Sequence, residues 1–315
     1  MKPVRNALSR RNVIAGAASV LLAGPVAAQT APLRFGAAGS ESFDESFFLL
    51  DGGFLKAAGL SGDVFVLPNG ARIMDAMVGG SMDIGMSDML QVANAVNHGI
   101  SLAFFAGGSI YDTNAPATVL CVARNSPLQT AKDLEGKTIA LQGLKTLAEF
   151  STREWLRANG ADSSRVSFVE TGAAAAVPSL LRGTVAATIV SEPFITAAGD
   201  EVRRFAKPYD YIAKSFYISS WYTTRTWLSA NARSARKLQD AIYAAARWTN
   251  THRDESLVIL MNRLKLDPAK MKSLTRARFA TTLEPKLMQP VLDIATKYAL
   301  LDKHVDAATL IAHLA

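Results

Sequence analysis

Polar side chains suited to holding a small ligand are concentrated in residues 69–88, NGARIMDAMVGGSMDIGMSD. The pattern predicts a loop, a short helix, a Gly-Gly turn, a buried strand and a second loop. Asn69 is placed to cap the helix, and Gly70 and Arg72 lie in its first turn, where free backbone N–H groups attract anions. Ser87 and Asp88 leave the strand at its carboxyl end, where ligands bind in open α/β sheets. We therefore expect these five residues to contact one ligand, with a solvent-exposed Arg72 as the alternative.

A second loop of the same kind spans residues 143–146 and joins a predicted strand to the start of a helix. Gly143 and Thr146 would present backbone and hydroxyl groups to an anion, and Lys145 would add a full positive charge. An ordinary helix cap with a solvated lysine explains the same residues equally well, so both interpretations stay open.

Three carboxylates, Asp44, Asp88 and Glu192, are placed on loops at the same edge. They count against a purely anionic ligand unless they cap helices or pair with Arg72 and Lys145. The remaining interpretation is that they accept hydrogen bonds from an amino or amide group of the ligand.

Enzyme and metal motifs are incomplete. Ser87 lies in GMSDM, which lacks the final glycine of a hydrolase nucleophile elbow, and none of the four histidines lies in a motif that marks a base. Residues 136–138 end like a phosphate-binding P-loop, but residue 131 is alanine and a strand follows. The acids are scattered singly, so we expect no metal site and no cofactor. Tyr111 and Trp221 either stack on the ligand or pack in the core.

The first 28 residues have the pattern of an export signal, with four basic residues, an apolar run over 13–22 and small residues before the cleavage point. Arg10 and Arg11 fit a twin-arginine signal, and a Sec signal is the alternative. Removing this segment takes away its four basic residues and lowers the formal charge from +7 to +3, which leaves no basic cluster for nucleic acid. Cys121 is the only cysteine, which excludes an intrachain disulfide and favours a buried hydrophobic role.

Short strands and helices alternate over residues 32–112 and again over 117–206, which predicts parallel sheets with helical crossovers. From about residue 214 the pattern is mostly helical, with apolar stripes such as Leu238, Ile242 and Ala245. We expect the chain to cross between two lobes near 111–115 and 212–217. The predicted domains are the signal at 1–28, lobe 1 at 29–112 and 214–315, and lobe 2 at 113–213.

Motifs in a fixed order carry a family resemblance. Asp83-Ile84-Gly85 follows the Gly-Gly turn, residues 131–138 read AKDLEGKT, and residues 180–191 lead into Glu192-Pro193. This order resembles the nitrate/sulfonate/taurine group of periplasmic substrate-binding proteins of ABC transporters. The resemblance implies an α/β type II periplasmic-binding-protein fold, with two lobes joined by two crossover segments and the C-terminal helices packed on lobe 1.

The resemblance also implies that Ser87 and Glu192 face the ligand cleft, and we add Ser40, Phe43 and Thr171 to the predicted ligand-binding set. The expected function is the solute-binding component of an ABC importer. It would capture a small polar, anionic organic ligand or oxyanion and deliver it, as a monomer, to an inner-membrane permease with its ATPase. The alternatives are binding of a pyrimidine precursor or another heterocycle on the same fold, an exported enzyme, and a sensor that contacts a receptor.

Overall fold

The computed structural model describes residues 31–314, so the predicted signal segment at 1–28 lies outside the described residues. The strands of the described chain are β1 (Leu33–Ala37), β2 (Gly62–Val66), β3 (Gly85–Ser87), β4 (Leu102–Gly107), β5 (Ser109–Asp112), β6 (Thr118–Ala123), β7 (Thr138–Leu141), β8 (Ser167–Glu170), β9 (Ala187–Ser191), β10 (Val202–Ala206), β11 (Ser215–Tyr217), β12 (Ser220–Thr224) and β13 (Arg278–Phe279). The α-helices are α1 (Glu45–Asp51), α2 (Phe54–Ala57), α3 (Gly70–Val78), α4 (Met89–Asn97), α5 (Leu147–Ala158), α6 (Ala173–Leu181), α7 (Phe194–Ala198), α8 (Arg225–Ala230), α9 (Ala232–Thr251), α10 (Arg253–Leu264) and α11 (Pro285–Lys297). The predicted α/β class is confirmed.

The sheets are mixed rather than parallel. A five-stranded sheet has the order β10-β6-β9-β7-β8, in which β6 runs antiparallel to both of its neighbours. A three-stranded sheet has the order β3-β12-β4, in which β12 is antiparallel to both neighbours. Parallel strands β1 and β2 lie beside this sheet, because Phe35 of β1 pairs with Ile84 just before β3. The prediction of parallel sheets is therefore wrong for β6 and β12.

The strands β5 and β11 pair antiparallel, with Tyr111 opposite Phe216. They fall at the two points where the sequence predicts the chain to cross, and β13 pairs with the other edge of β5. A third small sheet therefore connects the parts of the chain that precede and follow the five-stranded sheet.

The apolar stripe of α9 is buried as its spacing predicts. Leu238, Ile242 and Ala245 pack in one cluster with Phe105 of β4 and Trp221 of β12. This places the long C-terminal helix on the sheet formed by β3, β12 and β4, where its burial supplies hydrophobic stabilisation.

Residues 45–58 and 307–314 have the pattern of helices in the sequence, but the structure forms less helix in both. The helix predicted from residue 45 to 58 is broken at Gly52 and Gly53, as the glycine pair indicates, and Gly53 has the left-handed φ of 78°. The helix predicted over residues 307–314 is wrong, because only a 3-10 turn forms at Ala307–Leu310. Beyond it the chain is extended, and the Ala312 N–H donates to the Phe104 carbonyl at 2.8 Å.

Candidate functional site

Two sets of loops enclose a cavity of about 50 Å³. One wall is formed by residues around the starts of α3 and α4, namely Phe43, Asn69, Gly70, Ala71, Asp88 and Gln91. The other wall is formed around the start of α5 and near the strand β11, by Gln142, Gly143, Thr146, Leu147, Ala148, Tyr209 and Ile218. A single water molecule needs roughly 10–15 Å³ of cavity volume, so this cavity has room for a few waters or part of a small ligand.

Asp88 is the acidic residue of the cavity lining. It follows β3 and caps α4, where its Oδ1 accepts the Gln91 N–H at 2.9 Å. The backbone N–H groups of Leu90 and of Leu147, the first residue of α5, also favour its charged form. Only 5% of the residue is exposed, and burial raises the pKa of the carboxyl to about 6 despite these hydrogen bonds.

Asn69 joins the start of α3 to the strand β8. Its Oδ1 caps α3 by accepting the Arg72 N–H at 3.0 Å, as the sequence predicts. Its Nδ2 donates to Oε1 of Glu170, at the end of β8, over 3.0 Å. The side chain thus fixes a helix start on one wall and bonds to the carboxyl end of a strand in the five-stranded sheet.

Thr146 occupies the position that caps α5, and its hydroxyl donates to the Gly143 carbonyl at 2.8 Å. This bond joins the two ends of the loop at residues 143–146, and both residues line the cavity. Lys145 between them has a left-handed φ of 56°, and its side chain is exposed and does not line the cavity. Its backbone N–H donates to Oε2 of Glu149 at 2.8 Å.

The other predicted cation also lies outside the cavity lining. The Arg72 side chain is 61% exposed and forms an ion pair with Asp75 over 3.1 Å. Thr171 is half-buried outside the lining as well, and its N–H donates to the Leu141 carbonyl. The structure therefore supplies no arginine or lysine to the described cavity lining.

Several predicted ligand contacts are instead buried in protein. The Ser87 hydroxyl donates to Oε1 of Gln91 at 2.8 Å, which orients a lining amide rather than lining the cavity itself. Ser40 is buried just before the 3-10 turn that carries Phe43. Ser40 and Ser87 are thus buried outside the cavity lining. The predicted residues that do line the cavity are Phe43, Asn69, Gly70, Asp88, Gly143 and Thr146.

The predicted aromatic contacts belong to the core. The Tyr111 hydroxyl donates to Oδ1 of Asp210 at 2.8 Å, and its ring packs against Phe216. The Trp221 indole is fully buried and donates to Oε2 of Glu45 at 2.6 Å. Of the two roles given above for these rings, both pack in the core and neither lines the cavity.

Glu192 lies outside the cavity lining as well. Its Oε1 is 2.9 Å from Arg204, and Oε2 accepts the Thr196 N–H at 3.0 Å. Burial is the main influence on its carboxyl pKa and raises it, against the hydrogen bonds from Thr196 and the charge of Arg204. Its carboxylate thus accepts a backbone N–H from the first turn of α7 and pairs with Arg204.

Among the polar lining residues, the sequence analysis missed Gln91, Gln142 and Tyr209. Gln142 directly follows β7, so the strand-end rule that selects Ser87 and Asp88 identifies it too. Its Nε2 is buried and has no hydrogen-bond partner within the described part of the chain. No local pattern signals Tyr209, which follows Pro208 in a short 3-10 turn.

The described residues show neither a metal-binding cluster nor a membrane-spanning helix. Residues 31–314 contain no group of three or more His, Cys, Asp or Glu side chains placed to hold a metal ion. None of the helices described there has both the length and the apolar character needed to span a membrane. Cys121 is buried, and desolvation raises the pKa of its thiol to about 12.

Comparisons with known proteins agree with the resemblance. Residues 49–256 match the protein family described as NMT1/THI5 like. A putative aliphatic sulfonates-binding protein of Escherichia coli (strain K12) is 24% identical over 249 residues, which cover 76% of this chain and 75% of that protein.

Two solved structures share the fold. The alkanesulfonate-binding protein SsuA from Xanthomonas axonopodis pv. citri, bound to MOPS, has a TM-score of 0.76 at 21% identity, covering 91% of this chain and 99% of its own. The periplasmic nitrate-binding protein NrtA from Synechocystis PCC 6803 has a TM-score of 0.74 at 13% identity, covering 88% and 84%. These relatives are substrate-binding proteins and not enzymes, so the recognised family and the periplasmic-binding-protein fold are confirmed.

Proposed function

This chain belongs to the NMT1/THI5-like family, and from that premise we propose that it is the solute-binding component of an ABC importer. It binds a small polar molecule in the cavity between the starts of α3 and α4 and the start of α5. The observation that carries the proposal is that loops of separate sheets line one cavity, and that Asn69 in this lining bonds to Glu170 of the five-stranded sheet.

Apart from Ile218, which belongs to the first lobe, the two walls belong to two lobes, residues 29–112 with 214–315 and residues 113–213. The antiparallel pair β5 and β11 is the hinge between them. Ligand binding shifts the population towards the closed form, because only that form contacts the ligand from both sides. Closure also removes water from the hydrogen bonds in the cavity, which strengthens them.

Residues 1–28 export the chain to the periplasm, through the twin-arginine or the Sec route. There the ligand-loaded monomer delivers its solute to an inner-membrane permease with its ATPase. The relatives with sulfonate and nitrate in their names support small-solute capture as the role.

A thermal-shift screen of residues 29–315 tests this function. The library contains oxyanions, sulfonates, carboxylates, amides, amines and heterocycles. A ligand at 100 times its dissociation constant adds about 2.7 kcal/mol to the free energy of unfolding, so we expect at least one compound to raise the melting temperature by roughly 5 °C. A folded protein that no compound stabilises would contradict the proposed function.

A further inference from the structure

We propose that the ligand of this cavity presents an N–H donor to Asp88 and is an amide-like or cationic molecule rather than an oxyanion. This inference rests on the proposed solute-binding function and names the chemical class that the site takes. It differs from the anionic ligand expected from the sequence.

The charge of the lining is the first argument. Asp88 is the one charged side chain among the described residues that line the cavity. Arg72 and Lys145, the cations expected to hold an anion, are both exposed outside it. An oxyanion would therefore meet a buried negative charge with no side-chain cation to offset the repulsion.

The backbone donors are the second argument. At the start of α5, where a bound anion would be expected, the Leu147 N–H favours the charged form of the Asp88 carboxylate. At the start of α3, the Arg72 N–H donates to Asn69. One N–H group at each helix start therefore already interacts with an oxygen of the chain itself.

Gln142 supplies the complementary group. Its Nε2 is a buried donor in the wall opposite Asn69 and Gly70, and none of the described residues accepts a hydrogen bond from it. A buried unpaired donor costs free energy until a ligand acceptor satisfies it. A cavity with a carboxylate acceptor and an amide donor therefore matches a ligand that carries both an N–H and an acceptor, as a carboxamide does.

Three planar probes of nearly equal size test the inference: acetamidinium, acetamide and acetate. Their affinities are measured by titration at pH 8, where the Asp88 carboxyl, with its pKa of about 6, is ionised. We expect acetamidinium and acetamide to bind more tightly than acetate. Asp88→Asn should weaken acetamidinium about tenfold, because the charge-assisted hydrogen bond is lost, and should strengthen acetate.

The two substitutions are chosen so that a change in affinity is not caused by loss of folding. Asparagine caps helices as well as aspartate, so Asp88→Asn keeps the cap of α4. Asp306→Asn is the matched control, since Asp306 also caps a helical turn through its side chain but does not line the cavity. It should leave all three affinities unchanged.

Two results overturn the inference. Tighter binding of acetate than of acetamidinium, increased further by Asp88→Asn, would reject the ligand class while leaving solute binding intact. Failure of all three probes to bind would also reject it, and the broad screen would then decide whether the proposed function fails as well.

Discussion

Glu45 is a buried carboxyl group, and among the described residues only the Trp221 indole donates a hydrogen bond to it, at Oε2. Burial raises the pKa of this carboxyl well above 4.5, because the bond from Trp221 does not offset desolvation of the charged form. The folded protein therefore holds a proton here that the unfolded chain releases. Its stabilising contribution is complete below pH 4.5 and is lost as the pH rises from there towards the folded-state pKa.

We therefore expect Glu45→Gln to reduce the loss of stability between pH 5 and pH 8, because glutamine stays neutral at both. Urea unfolding at a series of pH values measures the effect, with Asp306→Asn as the control. The Asp88 carboxyl also lowers the free energy of unfolding as the pH rises, between its ordinary pKa of 3.8 and its folded-state pKa of about 6. Parallel stability curves for Glu45→Gln and wild type would refute this account of Glu45.

At the same scale, strand ends and helix starts predicted five of the thirteen lining residues, namely Asn69, Gly70, Asp88, Gly143 and Thr146. Asn69 caps the helix that its position predicts, and Asp88 caps α4, which was one of the interpretations left open for it. Arg72 could not be placed, because its direction depends on Asp75 three residues further on. Trp221 could not be placed either, since its partner Glu45 is remote in sequence. Side-chain direction follows from contacts that the local pattern does not contain.

The bond between Asn69 and Glu170 joins the helix α3 to the strand β8. If the two lobes open to release ligand, this bond breaks, so it contributes to the stability of the closed form. We expect Glu170→Ala to raise the dissociation rate of any ligand found by the screen about three- to tenfold, consistent with the loss of one net hydrogen bond. Stopped-flow dissociation measures the change.

Glu255→Ala is the control for that variant, because Glu255 is an exposed acid in the first turn of α10. It should leave the dissociation rate unchanged. An equal rate for Glu170→Ala and wild type would show that the bond has no part in retaining ligand.

Among elements, the alternation of strands and helices was predictable, and so was the break at Gly53, which needs a left-handed φ. The antiparallel strand β12 was not, because its pairing with β3 and β4 joins residues more than a hundred positions apart. The extended chain at Ala312 was missed for the same reason, since its bond to Phe104 competes with helix formation.

At the scale of the whole described chain, residues 31–314, the candidate site is the cavity between the starts of α3, α4 and α5. The family match covers residues 49–256, and the cavity lies between loops that this match largely contains. The connection β5–β11 and the burial of α9 on the sheet of β3, β12 and β4 hold the remaining chain in place. The account therefore depends on whether a solute occupies this cavity rather than another surface.

The most direct measurement compares ligand-induced thermal shifts in wild type, Ala71→Phe and Val78→Phe. Ala71 lines the cavity from the first turn of α3, so a phenylalanine there fills it, whereas Val78 is exposed at the other end of the same helix. With a compound from the screen at 100 times its dissociation constant, we expect a rise of roughly 5 °C for wild type and Val78→Phe and almost none for Ala71→Phe. Equal shifts in all three folded proteins would contradict binding in this cavity.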